Sequence, residues 1–287
     1  MLDSAVDRQN SDLPVSWQQR EAGENFPVAL RILPRADREH LHAVYDYARM
    51  VDELGDSYEG DRVAVLERVR EETSGIWRGH VPDAPILAVL AATVADCALS
   101  EQPFLDLIEA NLQDQRVTRY ATFEELVGYC RLSADPVGRI VLELFAQSTP
   151  ERVALSDRVC TALQIVEHLQ DVGEDHAAGR VYLPQESLAE HGVTEDELAA
   201  DTASAGLRAL ILAETDRAEA MLHEGRPLVG QLRGWARVAV AGFVAGGQAT
   251  VDALRASGGD VLGQTVKPGK LATVRHASGL LLGRRAA

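Results

Sequence analysis

From Asn25 to Ala256 the chain carries a single kind of pattern. Apolar residues recur at spacings of three and four, and Gly or Pro interrupts the runs at Pro34, Gly60, Pro82 with Pro85, Pro150, Gly192, and Gly225 with Pro227. That is the period of an α-helix together with the residues that end one. Sustained period-two alternation occurs nowhere, so strands are expected to be few or absent. The spacing predicts helices over about 37–56, 61–78, 84–99, 101–115, 122–147, 151–177, 195–224 and 228–256. Such helices must bury their apolar stripes against one another, which makes an all-α bundle the expected fold class. No fixed repeat and no linker divides the chain. The expected organisation is a polar segment over residues 1–20, one helical domain over 21–260 and a basic tail over 261–287.

Composition narrows the chemistry. The chain is 46% apolar but only 5% aromatic, so its core is built mainly from Ala, Leu and Val. Formal net charge is −16, from 28 Lys plus Arg against 44 Asp plus Glu. A surface of that sign does not neutralise phosphates, so nucleic acid is not an expected partner. Cys97, Cys130 and Cys160 lack C-x-x-C spacing, which points to free thiols in a reducing compartment. The start, MLDSAVDRQN, has neither the basic flank nor the apolar run of a signal peptide. No apolar run approaches the ~18 residues of a spanning helix. A soluble, cytoplasmic protein is the expectation. The segment from Val261 holds five Lys or Arg, no acid, and Leu280–Leu282. It reads either as a solvated terminus or as a weak amphipathic anchor on the inner membrane face. The sequence sets no oligomeric state.

Two acidic stripes stand out against this background. On a helix at about 100° per residue, Leu41, Val44, Ala48, Val51 and Gly55 form an apolar or small stripe. Tyr45, Arg49, Asp52 and Asp56 form a second stripe, within about 60° of arc, that adjoins the first rather than opposing it. Over 155–175, Cys160, Gln164, Glu167, Asp171 and Asp175 make a narrow stripe roughly opposite the apolar one. Alone, that helix reads equally well as amphipathic with a wet acidic face. Like charges at i and i+4 repel, so two helices with D-x-x-x-D are not an arrangement that stability requests. Mg²⁺ relieves the repulsion, pairing one or two carboxylates with waters and substrate phosphate oxygens. Facing stripes suit a metal-bound diphosphate whose leaving oxygen gains charge as a carbon–oxygen bond breaks. Arg180 and Tyr182 follow directly, offering a planar fork and a hydroxyl to the same anion. Each also has a plain structural reading, Arg180 as a helix C-terminal cation and Tyr182 as a core aromatic with its hydroxyl bonded.

Four stretches carry a family resemblance: ENFPVALRILP (24–34), YDYARMVDELGD (45–56), GYCRLSADPVG (128–138) and QIVEHLQDVGEDHAAGRVYLP (164–184). The chain resembles the squalene/phytoene synthases, and most nearly their bacterial hydroxysqualene-forming branch. The resemblance implies a bundle of the isoprenoid synthase type around a central apolar cavity. It implies Mg²⁺ at Asp52, Asp56, Asp171 and Asp175, with Glu53 and Glu167 as further candidates. Tyr45, Arg49, Gln164, Arg180 and Tyr182 would contact the diphosphate or its metal shell. Tyr129 would stand near the reacting carbons, with Tyr45 and Arg49 also assigned to the catalytic set. Ala134 and Gly138 would keep a helix face thin for the lipid chain. The implied reaction ionises presqualene diphosphate, rearranges the carbocation and quenches it with water, with no NADPH expected. Glu53 and Glu167 depart from the residues usual at their positions, and Asp135-Pro136 replaces small residues, which favours water quench over reduction. The alternatives are presqualene diphosphate or squalene synthesis from two farnesyl diphosphates, or a non-catalytic helical relative.

Overall fold

The computed structural model describes residues 33–283, so the expected N-terminal segment 1–20 and most of ENFPVALRILP lie outside the described residues. Thirteen α-helices follow one another among them: α1 Arg35–Asp56, α2 Arg62–Trp77, α3 Pro85–Cys97, α4 Gln102–Asp114, α5 Phe123–Ser133, α6 Asp135–Leu144, α7 Pro150–Gln170, α8 Val172–Ala177, α9 Gln185–Glu190, α10 Ala205–Gly225, α11 Leu228–Gln231, α12 Gly234–Ala256 and α13 Lys270–Leu282. A 3₁₀ turn covers Glu195–Ala199. The described residues contain no strand beyond one isolated parallel bridge between Arg119 and Val181.

Local chemistry sets the starts. Asp61, Thr122, Thr149 and Ser204 each accept a backbone N–H from three residues on, capping α2, α5, α7 and α10. Pro85 and Pro150 stand in the first turns of α3 and α7, where no intrahelical N–H bond is lost. Four expected helices are divided. The run 122–147 breaks at Ala134 (φ −116°, ψ −48°), because Pro136 has no N–H to continue the ladder. The run 151–177 breaks at Asp171 (φ −103°, ψ 14°), leaving Asp175 on the short α8. The run 195–224 starts as the 3₁₀ turn and begins again at the Ser204 cap. The run 228–256 is interrupted by extended Leu232 and Arg233 before Gly234 at φ 55°. Helices α9 and α13 form where no helix was expected.

Two apolar clusters hold the bundle. One joins α1–α4 through Tyr47, Val51, Leu54, Leu66, Leu87, Leu90, Phe104 and Ile108, with Ile140 of α6. The larger gathers α5, α7, α10 and α12 around Ile165, Leu169, Leu210, Ile211, Ala241 and Leu254. Helix α7 is the hub, packed by α5, α6, α10 and α12. Along its polar stripe Cys160, Gln164, Asp171 and Asp175 are half-buried and Glu167 is exposed, so the stripe runs along the edge of the bundle. Val261, Leu262 and Val266, from the segment set apart as a basic tail, are buried in the larger cluster.

Helix α10 approaches α7 through Gly225, where an added Cβ would fall 2.6 Å from Val159 Cγ2 and 2.7 Å from the Leu155 carbonyl oxygen. Overpacking against backbone costs about 1–3 kcal/mol. Gly225→Ala should therefore lower the unfolding free energy by about 2 kcal/mol in denaturant titration. Gly246→Ala, where nothing lies within 4 Å, should leave it unchanged or raise it by up to about 1 kcal/mol.

Candidate active site

The site lies where the end of α1, the end of α4, the start of α5 and the α7–α8 break converge. Asp52 occupies a half-buried position on α1 and accepts Asn111 Nδ2 from α4 at 3.2 Å. The neighbouring Gly55 has no Cβ to collide with the Asn111 side chain, so α4 comes close enough to deliver that donor. One turn further, Asp56 accepts Arg180 Nη1 at 2.8 Å across 124 residues of chain. Arg180 is held from its other side, since its backbone N–H donates to the Asp175 carbonyl at 2.8 Å. One residue thus ties both aspartate segments to a single place.

Arg180 is aimed by the strap it sits on. Val181 N–H donates to Thr118 O at 2.9 Å and Gln185 N–H to Tyr120 O at 2.9 Å, laying 180–185 along the segment after α4. Arg119 fastens the same strap, donating to the Gly179 carbonyl at 2.8 Å and pairing with Glu195. Tyr182 is thereby buried, stacked on His168 with ring centroids 3.8 Å apart, and its hydroxyl donates to Asp114 Oδ1 at 3.2 Å. Tyr129 of α5 donates to Asp114 Oδ2 at 2.6 Å. Gln164 and His168 lie 3.3 Å apart on α7, and His168 Nδ1 is 3.7 Å from Asp175 Oδ2.

Asp114 is the functional candidate that sequence reasoning missed. It has no partner carboxylate at D-x-x-x-D spacing, and nothing local marks it apart from other acids of α4. Only the fold brings Tyr129 and Tyr182 to its two oxygens. His168 is 8% exposed and part of the same aromatic group.

Electrostatics set this place apart. Burial pushes the Asp52 carboxyl up to about 6, against relief from Asn111 and Arg49, with Asp56 and Asp114 adding to the rise. Burial likewise raises Asp114 to about 6, with the Tyr129 hydrogen bond and the charge of Arg180 opposing. Asp171 is raised by burial and then by Asp175 and Glu174. Asp175 Oδ2 is buried without a hydrogen-bond donor. Burial works against the charge of Arg180, yet its bond to Asp56 and the surrounding acids hold its pKa above the ordinary value.

The remaining sequence candidates divide. Tyr45 and Arg49 are half-buried on α1 beside Asp52, whereas Glu167 is exposed. Glu53 lines a separate surface pocket with Ser57, Tyr58 and Gly60. Ala134 is buried at the α5–α6 break. The space that Gly138 leaves is filled by Ser156 and Cys160 of α7, with their sulfur and oxygen about 2.5 Å or less from where a Cβ would stand. The cavity beside Asp175, lined by His168, Val172, Tyr182 and Leu183 among others, is too small to admit a water molecule.

The residues fit a hard divalent cation. Among the described residues no three His, Cys, Asp or Glu converge as a preformed metal centre. Mg²⁺ does not need one, because water and phosphate oxygens complete its shell. An orphaned Asp175 oxygen and carboxyls destabilised as anions are groups that such an ion would satisfy.

An all-helical bundle in which one arginine links two aspartate-bearing segments has the architecture of the isoprenoid synthases. The chain belongs to the squalene/phytoene synthase family, matched over residues 19–272. It is 36% identical over 194 residues to a hydroxysqualene synthase of Zymomonas mobilis, covering 66% of this chain and 64% of that one, just under two thirds of its length. It is 33% identical over 196 residues to a presqualene diphosphate synthase of Rhodopseudomonas palustris, covering 66% and 70%. Its fold is similar to the crystal structure of squalene synthase HpnC from Alicyclobacillus acidocaldarius, with a TM-score of 0.78, 43% identity, and 83% and 90% of the two chains covered.

The raised carboxyls give a stability signature. Asp114 ionises near 6 in the folded chain and near 4 when unfolded, so the folded state holds the extra proton between those values. As pH rises from about 4 to about 6, wild type should lose stability relative to Asp114→Asn, read from urea midpoints across the window. A constant difference would show that Asp114 is not destabilised as an anion.

Proposed function

We propose that the chain is an isoprenoid diphosphate-processing enzyme that converts presqualene diphosphate to hydroxysqualene in an Mg²⁺-dependent reaction. The observation that carries the reading is Arg180 itself, whose guanidinium pairs with Asp56 while its backbone N–H donates to the Asp175 carbonyl, so that one residue touches both aspartate segments. Asp52, Asp56, Asp171 and Asp175 would hold Mg²⁺, which supplies charge neutralisation for the diphosphate and a Lewis acid at the leaving oxygen. Arg180 exchanges Asp56 for phosphate oxygens, presenting the bidentate fork that suits them. Tyr45, Arg49 and Gln164 line the approach on α1 and α7.

Asp114 holds the Tyr129 and Tyr182 hydroxyls together, which fixes the two ring planes beside the cleft. Aromatic faces attract a cation through their quadrupole, so Tyr129 stabilises positive charge on carbon without donating to it a nucleophile. The Ala- and Leu-rich helices keep bulk water from the cation. The hydroxysqualene reading is supported by the Asp135-Pro136 motif and by the similarity to proteins named hydroxysqualene synthase. A second reading, presqualene diphosphate synthesis from farnesyl diphosphate, is favoured by the 33% identical relative of that name.

Supplied with presqualene diphosphate and Mg²⁺ but no NADPH, the protein should form hydroxysqualene, identified by mass spectrometry. Turnover only with farnesyl diphosphate would favour the second reading. Asp52→Asn and Asp171→Asn should each lower kcat by about 10³-fold or more while remaining folded. Near wild-type rates in both would remove the metal-site assignment.

A further inference from the structure

Seven large apolar side chains are exposed among the described residues, and four of them collect in one region. Leu271 (87% exposed), Val274 (59%) and Leu282 (83%) share one face of α13, at spacings of three and eight. Trp235 (40%) stands on the first turn of α12. Arg237 of that turn donates to the Leu281 carbonyl at 3.0 Å, bringing the Trp235 end of α12 against the Leu282 end of α13. The inner face of α13 is already used, by Leu280 and Leu281 packing on the core and by His276 bonded to Asp252 at 2.8 Å. The outer apolar stripe covers nothing in the fold.

Its charge is opposite to that of the rest of the molecule. Lys267, Lys270, Arg275 and Arg233 are exposed along this face, and no acid occurs after Asp260, in a chain of net charge −16. Asp252 pairs with Arg275 at 3.4 Å but leaves Lys267, Lys270 and Arg233 to solvent. A helix with an exposed leucine and valine stripe, basic flanks and an interfacial tryptophan has the composition of one that lies in a headgroup layer. An acidic protein partner would match the charge but gives no reason for the tryptophan and the leucines on the same face.

We propose that the outer face of α13 and the first turn of α12 form a docking surface for an anionic lipid bilayer. The surface begins beside the proposed site, because the Val266 carbonyl accepts Gln170, the residue next to Asp171. Docking would therefore hold the cleft close to the headgroups. The binding surface itself does not depend on which diphosphate the cleft takes.

Full-length protein is sedimented with phosphatidylglycerol vesicles and with phosphatidylcholine vesicles, at low and high salt. Wild type should partition to phosphatidylglycerol, less so at high salt and less to phosphatidylcholine. The double variant Leu271→Glu with Leu282→Glu should bind phosphatidylglycerol on the order of tenfold more weakly or worse, with an unchanged melting temperature. Lys270→Glu should weaken binding, and Val81→Glu, equally exposed but away from this face, should not. Wild type remaining in the supernatant, or the double variant partitioning as wild type does, would overturn the proposal. So would light scattering that shows the double variant separating a dimer with no vesicle binding in wild type, which would make the face a contact between two copies.

Discussion

The Asp56–Arg180 ion pair is the contact on which the rest of the site depends. Asp52 lies within reach of the charges of Asp56 and Asp114, and Asp171 within reach of those of Asp175 and Glu174, on either side of Arg180. Left to themselves they would repel, and burial raises three of them toward their neutral forms. Arg180 supplies a positive charge that reaches the first segment through its side chain and the second through its backbone. It can occupy that position because residues 180–185 are laced to 118–121 by main-chain hydrogen bonds, which leave the guanidinium little freedom to turn elsewhere.

On the proposed reading, a phosphate and its cations would offer Asp56 and Arg180 new partners of opposite sign, and ligand binding would substitute for the bridge. Burial makes these carboxyls poor anions, and a bound cation would make them good ligands. This is a local destabilisation kept for function, supported by well-packed apolar clusters on either side. Glycines contribute on both flanks, Gly55 by admitting Asn111 to Asp52 and Gly225 by letting α10 lie against the hub helix.

Much of this was legible in the residues, and the parts that were not have physical reasons. The period of three and four identified the helical class, and the adjacency of the Asp52–Asp56 stripe to the apolar stripe of α1 indicated that those carboxylates point toward the core edge. The stripe on α7 was ambiguous, because helix period says which residues share a face but not what packs on it. Pro136 was a visible stop within a pattern otherwise continuous from 122 to 147. The break at Asp171 had no such marker. Asp114 was invisible for a different reason: its role comes from two tyrosines 15 and 68 residues away. The 185–190 and 270–282 helices are short or weakly amphipathic, so they owe their formation to the neighbours they pack against.

The central claim is that the two aspartate segments act on one ligand. Calorimetric titration of Mg²⁺ with inorganic diphosphate into wild type, Asp52→Asn, Asp175→Asn and the double variant tests it as a thermodynamic cycle. The account predicts that either single change removes most of the affinity and that the second adds little, a coupling on the order of 1 kcal/mol or more. Independent losses that simply add, or binding untouched by one of the changes, would mean that the segments do not share a site.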